Sequence, residues 1–365
     1  MTTLDPLADS SSLTEERSAW IRSPNWDLAW LLGSAAIVPL VLVLVWGGMS
    51  SGTLMLVITA LIGGPHLFST YIVTFLDPAF RRAHGKVLAL ITLVIPPLVL
   101  FGVMTNFAVL LSLFIFAASL HVVQQNAYLT DVYRRRAAQR EAPNARWIDY
   151  GLLFVCMHPI ASWKLVHDDF RLGDVPIRLP DFLLGPWTYI AVWLVFAFFL
   201  VAWCRKTLRE AREGSLNRPK TLLIGATTVI AFFVPAAADG ERLELAFQSV
   251  NAWHSFQYLG LVWYALMIRK KHGLLQSRFV NSIAGTGARQ TLRFYGFCFL
   301  VTVTLLASLY GIVAVDPLGL TFQQYWYVMV LSPLLIHYAL DAYLFAVSNR
   351  RGVDVATVPF AISDL

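Results

Sequence analysis

The sequence predicts an all-α, polytopic transmembrane bundle of about ten helices, and two features lead to this fold class. Hydrophobic residues make up 57% of the 365 residues and charged residues only 14%, and the mean hydropathy is +0.62, well outside the range of soluble domains. Apolar segments of about 20 residues, the length that crosses a hydrocarbon core of about 30 Å, recur along almost the whole chain. The lipid bilayer is therefore the expected partner of this protein.

The predicted spans leave a short tail at each end. We expect an N-terminal tail over residues 1–25, a transmembrane domain over 26–348 and a C-terminal tail over 349–365. The segment Met1–Arg22 is polar and lacks the basic and apolar regions of a cleavable signal peptide. The first membrane helix is therefore expected to act as its own signal.

Ten segments have the length and apolar character of a membrane helix. Prolines predict kinks in two of them, because proline removes a helical hydrogen bond and crowds the preceding turn. These prolines are Pro96 and Pro97 in the third span and Pro333 in the tenth. In chain order the spans are Trp26–Trp46, Thr53–Leu76, Val87–Met104, Phe107–Leu129, Trp147–Val166, Pro186–Cys204, Lys220–Ala237, Leu243–Ile268, Thr291–Val315 and Tyr325–Val347.

The basic residues predict the topology, because short cytoplasmic loops retain Lys and Arg. With ten spans, 24 of the 28 basic residues fall on one side, together with both termini. Both termini are therefore expected to be cytoplasmic, in the inner (plasma) membrane of a bacterium, and eight spans are the alternative to ten. The longest external connection, Val166–Gly185, is expected to be a solvated loop, with a cover over an external mouth as the alternative. The net charge of +6 does not indicate nucleic acid, because the basic residues lie in short connections.

Four histidines share a common depth in the predicted bundle. They occupy positions 14, 15, 12 and 13 of the second, fourth, eighth and tenth spans, which all run from outside to inside. At about 1.5 Å of rise per residue, these offsets differ by roughly 5 Å. Ionisable residues at membrane depth are costly and usually face the bundle interior. The sequence therefore predicts that four imidazoles converge on one point, and the candidate metal ligands are His66, His121, His254 and His337.

Each of these histidines is followed, three or four residues later on the same helix face, by a polar side chain. Such side chains suit the role of orienting a metal-bound imidazole through its second nitrogen. Tyr258 is also a candidate acid or hydrogen-bond donor. The predicted pairs are His66 with Thr70, His121 with Gln125, His254 with Gln257 and Tyr258, and His337 with Asp341.

Neutral imidazoles suit iron, zinc, copper and nickel, and Fe(II) is the most natural choice for oxygen chemistry in an apolar pocket. Cys156, Cys204 and Cys298 lie within or beside apolar segments and are interpreted as packing residues. Haem ligation remains an alternative, as does a polar packing network or a transport path through the histidines and Asp341. His158, on the fifth span, runs in the opposite direction and is either a fifth ligand or a packing residue.

Four short motifs carry a resemblance to a known family. They occur in the same order as the intramembrane histidine motifs of the Brp/Blh family, membrane carotenoid dioxygenases that cleave β-carotene to retinal with histidine-bound iron. The motifs are Gly64-Pro65-His66, Leu120-His121, His254-Ser255 followed by an aromatic apolar run to Trp263, and Ile336-His337 with Asp341.

Two positions depart from the family pattern. Tyr258 stands where the third motif of the family has a second histidine, and Thr70 stands where an acidic residue follows the first motif. His337 would then complete the ligand set, or Tyr258 would coordinate the metal or donate a proton. Together with the resemblance, the residues favour the hypothesis of an intramembrane, non-haem, iron-dependent oxygenase for a hydrophobic small molecule. A haem-binding electron carrier and a transporter or cation channel are the alternatives.

Overall fold

The computed structural model describes residues 19–137, 141–167, 170–172, 175–238, 241–348 and 354–361. Over these residues the fold is all-α, as predicted, and a single antiparallel pair of two-residue strands, β1 Arg171–Leu172 and β2 Val175–Pro176, accompanies the helices. The described helices are α1 Pro24–Trp46, α2 Ser51–Val73, α3 Pro78–Thr105, α4 Phe107–Arg136, α5 Ala145–Val155, α6 His158–Val166, α7 Pro186–Arg212, α8 Arg218–Ala236, α9 Glu241–Lys271, α10 Arg278–Ile283, α11 Ala288–Val315 and α12 Phe322–Ser348, with a 3₁₀ turn at Asp181–Leu183.

Eight of the described helices are long and apolar enough to cross a membrane: α1, α2, α3, α4, α7, α8, α11 and α12. Their outward faces are apolar, with Leu93, Leu194 and Leu292 each at least two-thirds exposed. Many polar side chains are instead buried inside the bundle. This inside-out arrangement is expected of helices whose surroundings are lipid, so the chain has the architecture of a multi-pass membrane protein.

Two of the ten predicted spans differ from these eight. The fifth is broken at Cys156 and Met157 into α5 and α6, of 11 and 9 residues. Pro159, in the first turn of α6, has no N–H with which to continue α5. The eighth, α9, is one helix of 31 residues, but its polar side chains make it less apolar than a typical span. Eight described helices therefore have the length and hydropathy that a membrane span requires. The prediction of ten crossings stays a prediction.

Backbone irregularities occur away from the prolines that predicted kinks, and α12 continues as one helix through Pro333. Non-helical backbone angles in α3 occur at His84, whereas the helix continues through Pro96 and Pro97. In α2, residues Thr59–Gly63 form a π-helical turn directly before Pro65. Because Pro65 has no N–H for the carbonyl of Leu61, that carbonyl is free to accept a hydrogen bond of 2.7 Å from the hydroxyl of Tyr295.

The helix ends that carry most of the basic residues meet at one end of the bundle, which we call the basic end. There Asp149 of α5 contacts Arg134 of α4, Lys206 of α7 and Lys220 of α8. Both described terminal segments also lie at this end. Arg136 donates to the carbonyl of Trp20, and Arg269 donates to that of Ala356. This is the arrangement that an even number of crossings requires, and its placement in the cytoplasm stays a prediction.

The C-terminal segment 354–361 packs into the basic end. Phe360 is fully buried, and its carbonyl accepts a hydrogen bond of 2.6 Å from Tyr128.

At the end of the bundle opposite the basic end, the β1–β2 hairpin is packed rather than solvated. Phe170, Leu172 and Ile177 are buried against helices α4, α6 and α9. The connection predicted as a loop therefore covers this end of the bundle, in agreement with the alternative interpretation.

Candidate metal centre

Four helices bring their histidines together in the interior of the bundle. One ring nitrogen from each of His66, His121, His254 and His337 lies within 4.8 Å of the others, and each residue is at most 2% exposed. The four helices are α2, α4, α9 and α12, the ones expected from register. The predicted convergence is therefore confirmed, because similar depths on co-directional helices become proximity once the helices pack.

The distances between nitrogens fit a shared ion. Nε2 of His254 lies 3.0 Å from Nε2 of His121, and Nε2 of His337 lies 2.8 Å from Nε2 of His66. With metal–nitrogen bonds of about 2.0–2.1 Å, neighbouring ligand nitrogens are separated by roughly 2.8–3.4 Å in octahedral or tetrahedral sites. Small ring movements are therefore sufficient for four nitrogens to bind one cation.

The imidazole rings are arranged edge to face around the common point. The ring centroids of His66 and His254 are 4.9 Å apart at 73°, those of His121 and His254 are 4.7 Å apart at 78°, and those of His66 and His337 are 4.5 Å apart at 88°. Steep interplanar angles let the nitrogen-bearing edges point inward without clashes between ring faces. Tyr338 stacks on His121 at 4.1 Å and fixes the orientation of that ring.

The position of His66 depends on a close approach between α2 and α11. A Cβ atom on Gly64 would lie 2.1 Å from the side-chain methyl of Thr302, far inside a normal carbon–carbon contact. Only glycine permits this packing. The next residue, Pro65, is the one that frees the carbonyl of Leu61 for Tyr295 of α11. The Gly64-Pro65-His66 motif therefore anchors α2 to α11 directly beside the histidine cluster.

Thr70 is the centre of the polar contacts around the cluster. Its Oγ1 lies 2.8 Å from Nδ1 of His337 and 2.7 Å from the hydroxyl of Tyr258. It also donates to Oδ1 of Asp341 at 3.2 Å, and Tyr258 donates to the same carboxylate oxygen at 2.6 Å. Asp341 Oδ1 is 3.6 Å from His337 Nδ1. Thr70, Tyr258 and Asp341 therefore form one buried network on the outer nitrogen of His337.

The side chains of Gln125 and Gln257 donate hydrogen bonds to backbone carbonyls instead of contacting an imidazole. The side-chain amide of Gln125 donates to the carbonyl of His254 at 3.1 Å and to Oε1 of Gln257 at 3.0 Å. Gln257 in turn donates to the carbonyl of Leu31 at 2.7 Å. These bonds tie α4 to α9 and α9 to α1, so the two amides fix the height of His254 relative to the neighbouring helices.

The structure thus corrects the predicted partners of three histidines, and Tyr258, predicted to pair with His254, bonds to Thr70 and Asp341 instead. Thr70 contacts His337 rather than His66, and neither Gln125 nor Gln257 contacts a ring nitrogen. Within the described part of the chain, Nδ1 has no hydrogen-bond partner in His66, His121 and His254. Spacing along one helix identifies neighbours on that helix, but these contacts form between helices and depend on how each helix is rotated about its axis.

The remaining candidate ligands lie outside the cluster. His158, at the start of α6, is partly buried and contacts the ring of Phe154 at 5.9 Å, and the candidate metal group of the described residues does not include it. That group contains no cysteine either. Cys156 and Cys298 are buried thiols and Cys204 is exposed. Burial of Cys156 and Cys298 agrees with the interpretation as packing residues, whereas Cys204 lies on the exposed surface of α7.

An apolar cavity of about 180 Å³ adjoins the cluster and reaches His66. It lies among α2, α4, α9, α11 and α12, and Phe170 and Leu172 of the hairpin segment close part of it. The aromatic rings of Phe68, Trp326 and Tyr338 line it. The contribution of α11 has no signal in the sequence, because Thr302 and Leu306 are ordinary residues of an apolar span.

No known protein family, no curated protein and no solved structure matches the chain. The resemblance to the Brp/Blh family therefore rests on the four histidine motifs alone. The geometry of the histidine cluster and its cavity remains as the basis for a function.

Proposed function

We propose that this protein is an intramembrane, non-haem, metal-dependent oxidoreductase, an oxygenase that uses iron and acts on a lipid-soluble substrate of isoprenoid or carotenoid type. The observation that carries the proposal is the convergence of four buried imidazoles within 4.8 Å beside an apolar cavity that reaches one of them. The cluster provides a place for a metal ion. The cavity provides a place for an apolar molecule next to that ion.

The charge of the surroundings supports a cation at this point. An ion with two positive charges inside a membrane protein requires nearby negative charge, because an uncompensated buried charge is costly. Asp341 is fully buried, its Oδ2 has no hydrogen-bond partner, and the one ion-pair partner of this carboxylate among the described residues is His337. A carboxylate without Lys or Arg beside it suits a site whose positive charge comes from a bound ion.

Four imidazoles on one ion favour a non-haem centre. A porphyrin fills four coordination positions of its iron and leaves two for protein side chains, whereas four ring nitrogens gather here. When bound, a redox-active ion such as Fe(II) would supply the electron transfer by which dioxygen reacts with an organic substrate.

The residues around the ion would hold and orient it. Thr70 and Asp341 fix the ring of His337 through Nδ1, which sets the direction of the opposite nitrogen, Nε2. Tyr258 donates to Asp341 and keeps its own ring against His66 at 4.6 Å. The bundle excludes water from this region, since all four ligands are buried. Tyr258 thus places a hydroxyl-bearing ring beside the cluster and would be a proton donor there.

Metal analysis of the purified protein tests the proposal. We expect about one equivalent of iron in the wild type and an absorption spectrum without a Soret band. His66→Ala, His121→Ala, His254→Ala and His337→Ala should each remove the metal, whereas His158→Ala, the matched control on α6, should retain it. A Soret band would replace the proposal with haem ligation. Unchanged metal content in all four variants would refute the ligand assignment.

Catalysis needs a second measurement. Oxygen consumption by the iron-loaded protein should rise when apolar polyenes are added in lipid nanodiscs, and the four histidine variants should show no such rise. Flux of protons or cations across proteoliposomes, with no oxygen consumption, would instead identify a transporter.

A further inference from the structure

The cavity has a polar stretch that begins one helical turn from the histidines and leads away from them. Glu244, Gln248 and Asn251 line it and share one face of α9, at the spacing of successive helical turns. The same helix carries His254 one turn further on. At about 1.5 Å per residue, Glu244 lies roughly 15 Å from His254 along the helix axis. One cavity therefore joins a polar cluster at one end to the metal centre at the other.

The polar end lies where a lipid headgroup would be. Glu244 is near the first turn of α9, beside the β1–β2 hairpin, whose Phe170 and Leu172 line the same cavity. This is the end of the bundle opposite the basic end. The walls between the two ends are apolar, with Phe114, Leu306 and Leu334 among them. The cavity thus repeats the polarity profile of one leaflet, from a polar level to an apolar centre.

The amide groups offer both a donor and an acceptor to a ligand. Asn251 donates to Oε1 of Gln248 at 3.1 Å. Within the described part of the chain, the Gln248 amide N–H groups and the Asn251 carbonyl have no other hydrogen bond. A hydroxyl group can accept from the first and donate to the second. A pure hydrocarbon against these groups would leave their hydrogen bonds unmade in a site of low polarity.

We propose that the substrate of the metal centre is an amphipathic lipid with a terminal hydroxyl group, bound with the hydroxyl at Glu244, Gln248 and Asn251 and with its apolar chain extended to His66. The proposal rests on the proposed function and specifies its substrate class. A fatty carboxylate is disfavoured because it would meet the acidic side chain of Glu244. Along the axis of α9, a hydroxyl held between Gln248 and Asn251 would lie about 5–9 Å from the level of His254, and the apolar chain would lead from there to His66.

Photo-crosslinking in lipid nanodiscs tests this orientation. Two analogues of hexadecanol are used with the full-length, metal-loaded protein, one with a diazirine next to the hydroxyl and one with a diazirine at the far end of the chain. The first should label the segment of α9 that contains Phe247, Gln248 and Asn251. The second should label α2 near Leu67 and Phe68. Unlabelled hexadecanol should compete with both probes at least ten times better than hexadecane.

Variants of the polar residues distinguish the contact with the lipid hydroxyl from the fit of the lipid's apolar chain. Gln248→Leu combined with Asn251→Leu should weaken competition by hexadecanol about tenfold and leave competition by hexadecane unchanged. Gln323→Leu on α12, a partly buried glutamine outside the cavity, is the matched control and should change neither.

Several results would overturn the proposal. Equal competition by hexadecane and hexadecanol, or the same labelled sites for both probes, would show that the polar end does not recognise a hydroxyl. Stronger competition by hexadecylamine or palmitate would assign a different headgroup. Metal content is measured on the same samples. If the metal is retained while the labelling pattern fails, the substrate class is wrong and the metal centre stands; if the metal is absent, the proposed function itself fails.

Discussion

Two buried polar clusters in this molecule are built on opposite principles. Around Asp149 at the basic end, carboxylates and basic side chains alternate. One oxygen of Asp149 meets Lys206, and the other meets Lys220 and Arg134 at 3.0 and 2.9 Å. In the histidine cluster, four groups of the same kind face one another, and no described Lys or Arg neutralises the carboxylate of Asp341 beside them.

The difference separates a structural cluster from a binding site. Opposite charges that satisfy one another need nothing from outside, and their role is to hold helices α4, α5, α7 and α8 together. Four convergent imidazoles with an unpaired carboxylate oxygen nearby form instead a group that could hold a cation. We therefore expect changes in the two clusters to affect different measurable properties.

The largest effect is expected from removal of a ligand. His254→Ala should lower metal affinity more than about a hundredfold, because loss of a coordinating group exceeds the loss of an orienting one. Metal content by mass spectrometry and thermal unfolding are measured together. The difference between the clusters predicts that apo wild type and the variant have similar unfolding temperatures, and a large further drop in the variant would mean that the histidines are mainly structural.

Asp149→Asn should have the next largest effect, and on stability alone. Removal of its charge leaves Lys206 and Lys220 buried with less compensation, which costs about 3 kcal/mol in unfolding free energy. Metal content should stay at the wild-type value. Asp181→Asn, at an exposed position, serves as the control and should leave both properties unchanged. Loss of metal in Asp149→Asn would show that the two clusters are coupled.

Thr70→Val tests the network on the outer nitrogen of His337. Valine keeps the shape of threonine and removes the hydroxyl that contacts His337, Tyr258 and Asp341. Metal affinity should fall about 10- to 100-fold, measured by competition with a chelator. Thr74→Val, one turn further on α2, removes a hydroxyl whose one hydrogen bond among the described residues is to the carbonyl of Thr70. An equal loss in both variants would argue against an orienting role for Thr70.

The smallest effect is expected at Glu141, at the basic end and outside the membrane-spanning helices. Burial raises the pKa of this carboxyl, but the charges of Lys220 and Arg134 outweigh burial and hold the pKa below its ordinary value. Its contribution to stability is therefore present above the unfolded-state pKa of about 4.3 and lost as pH falls through the lower folded-state pKa. Glu141→Gln should be less stable than wild type at neutral pH and equally stable in acid. A constant difference in unfolding temperature across this range would contradict the assignment.

The depth of the four histidines could be predicted from sequence, but their partners could not. His66 and His337 occupy similar positions on co-directional spans, and depth follows from counting residues along a helix. Which side chain meets which imidazole depends on rotation about each helix axis, and so spacing alone pairs Thr70 with the wrong histidine. The helix α9 is harder to assign as a span because interior polar residues lower its apparent hydrophobicity. The fifth predicted span is interrupted for a different reason, because the break before Pro159 divides it into the short helices α5 and α6.

X-ray absorption spectroscopy at the metal edge of the purified, iron-loaded protein tests the central claim most directly. A centre built from His66, His121, His254 and His337 predicts about four nitrogen ligands at roughly 2.0–2.1 Å with the outer-shell scattering typical of imidazole rings. Each of the four His→Ala variants, where it retains any metal, should lose about one imidazole from that pattern. Porphyrin scattering, a sulfur shell, or a metal with no more than one imidazole would contradict such a centre.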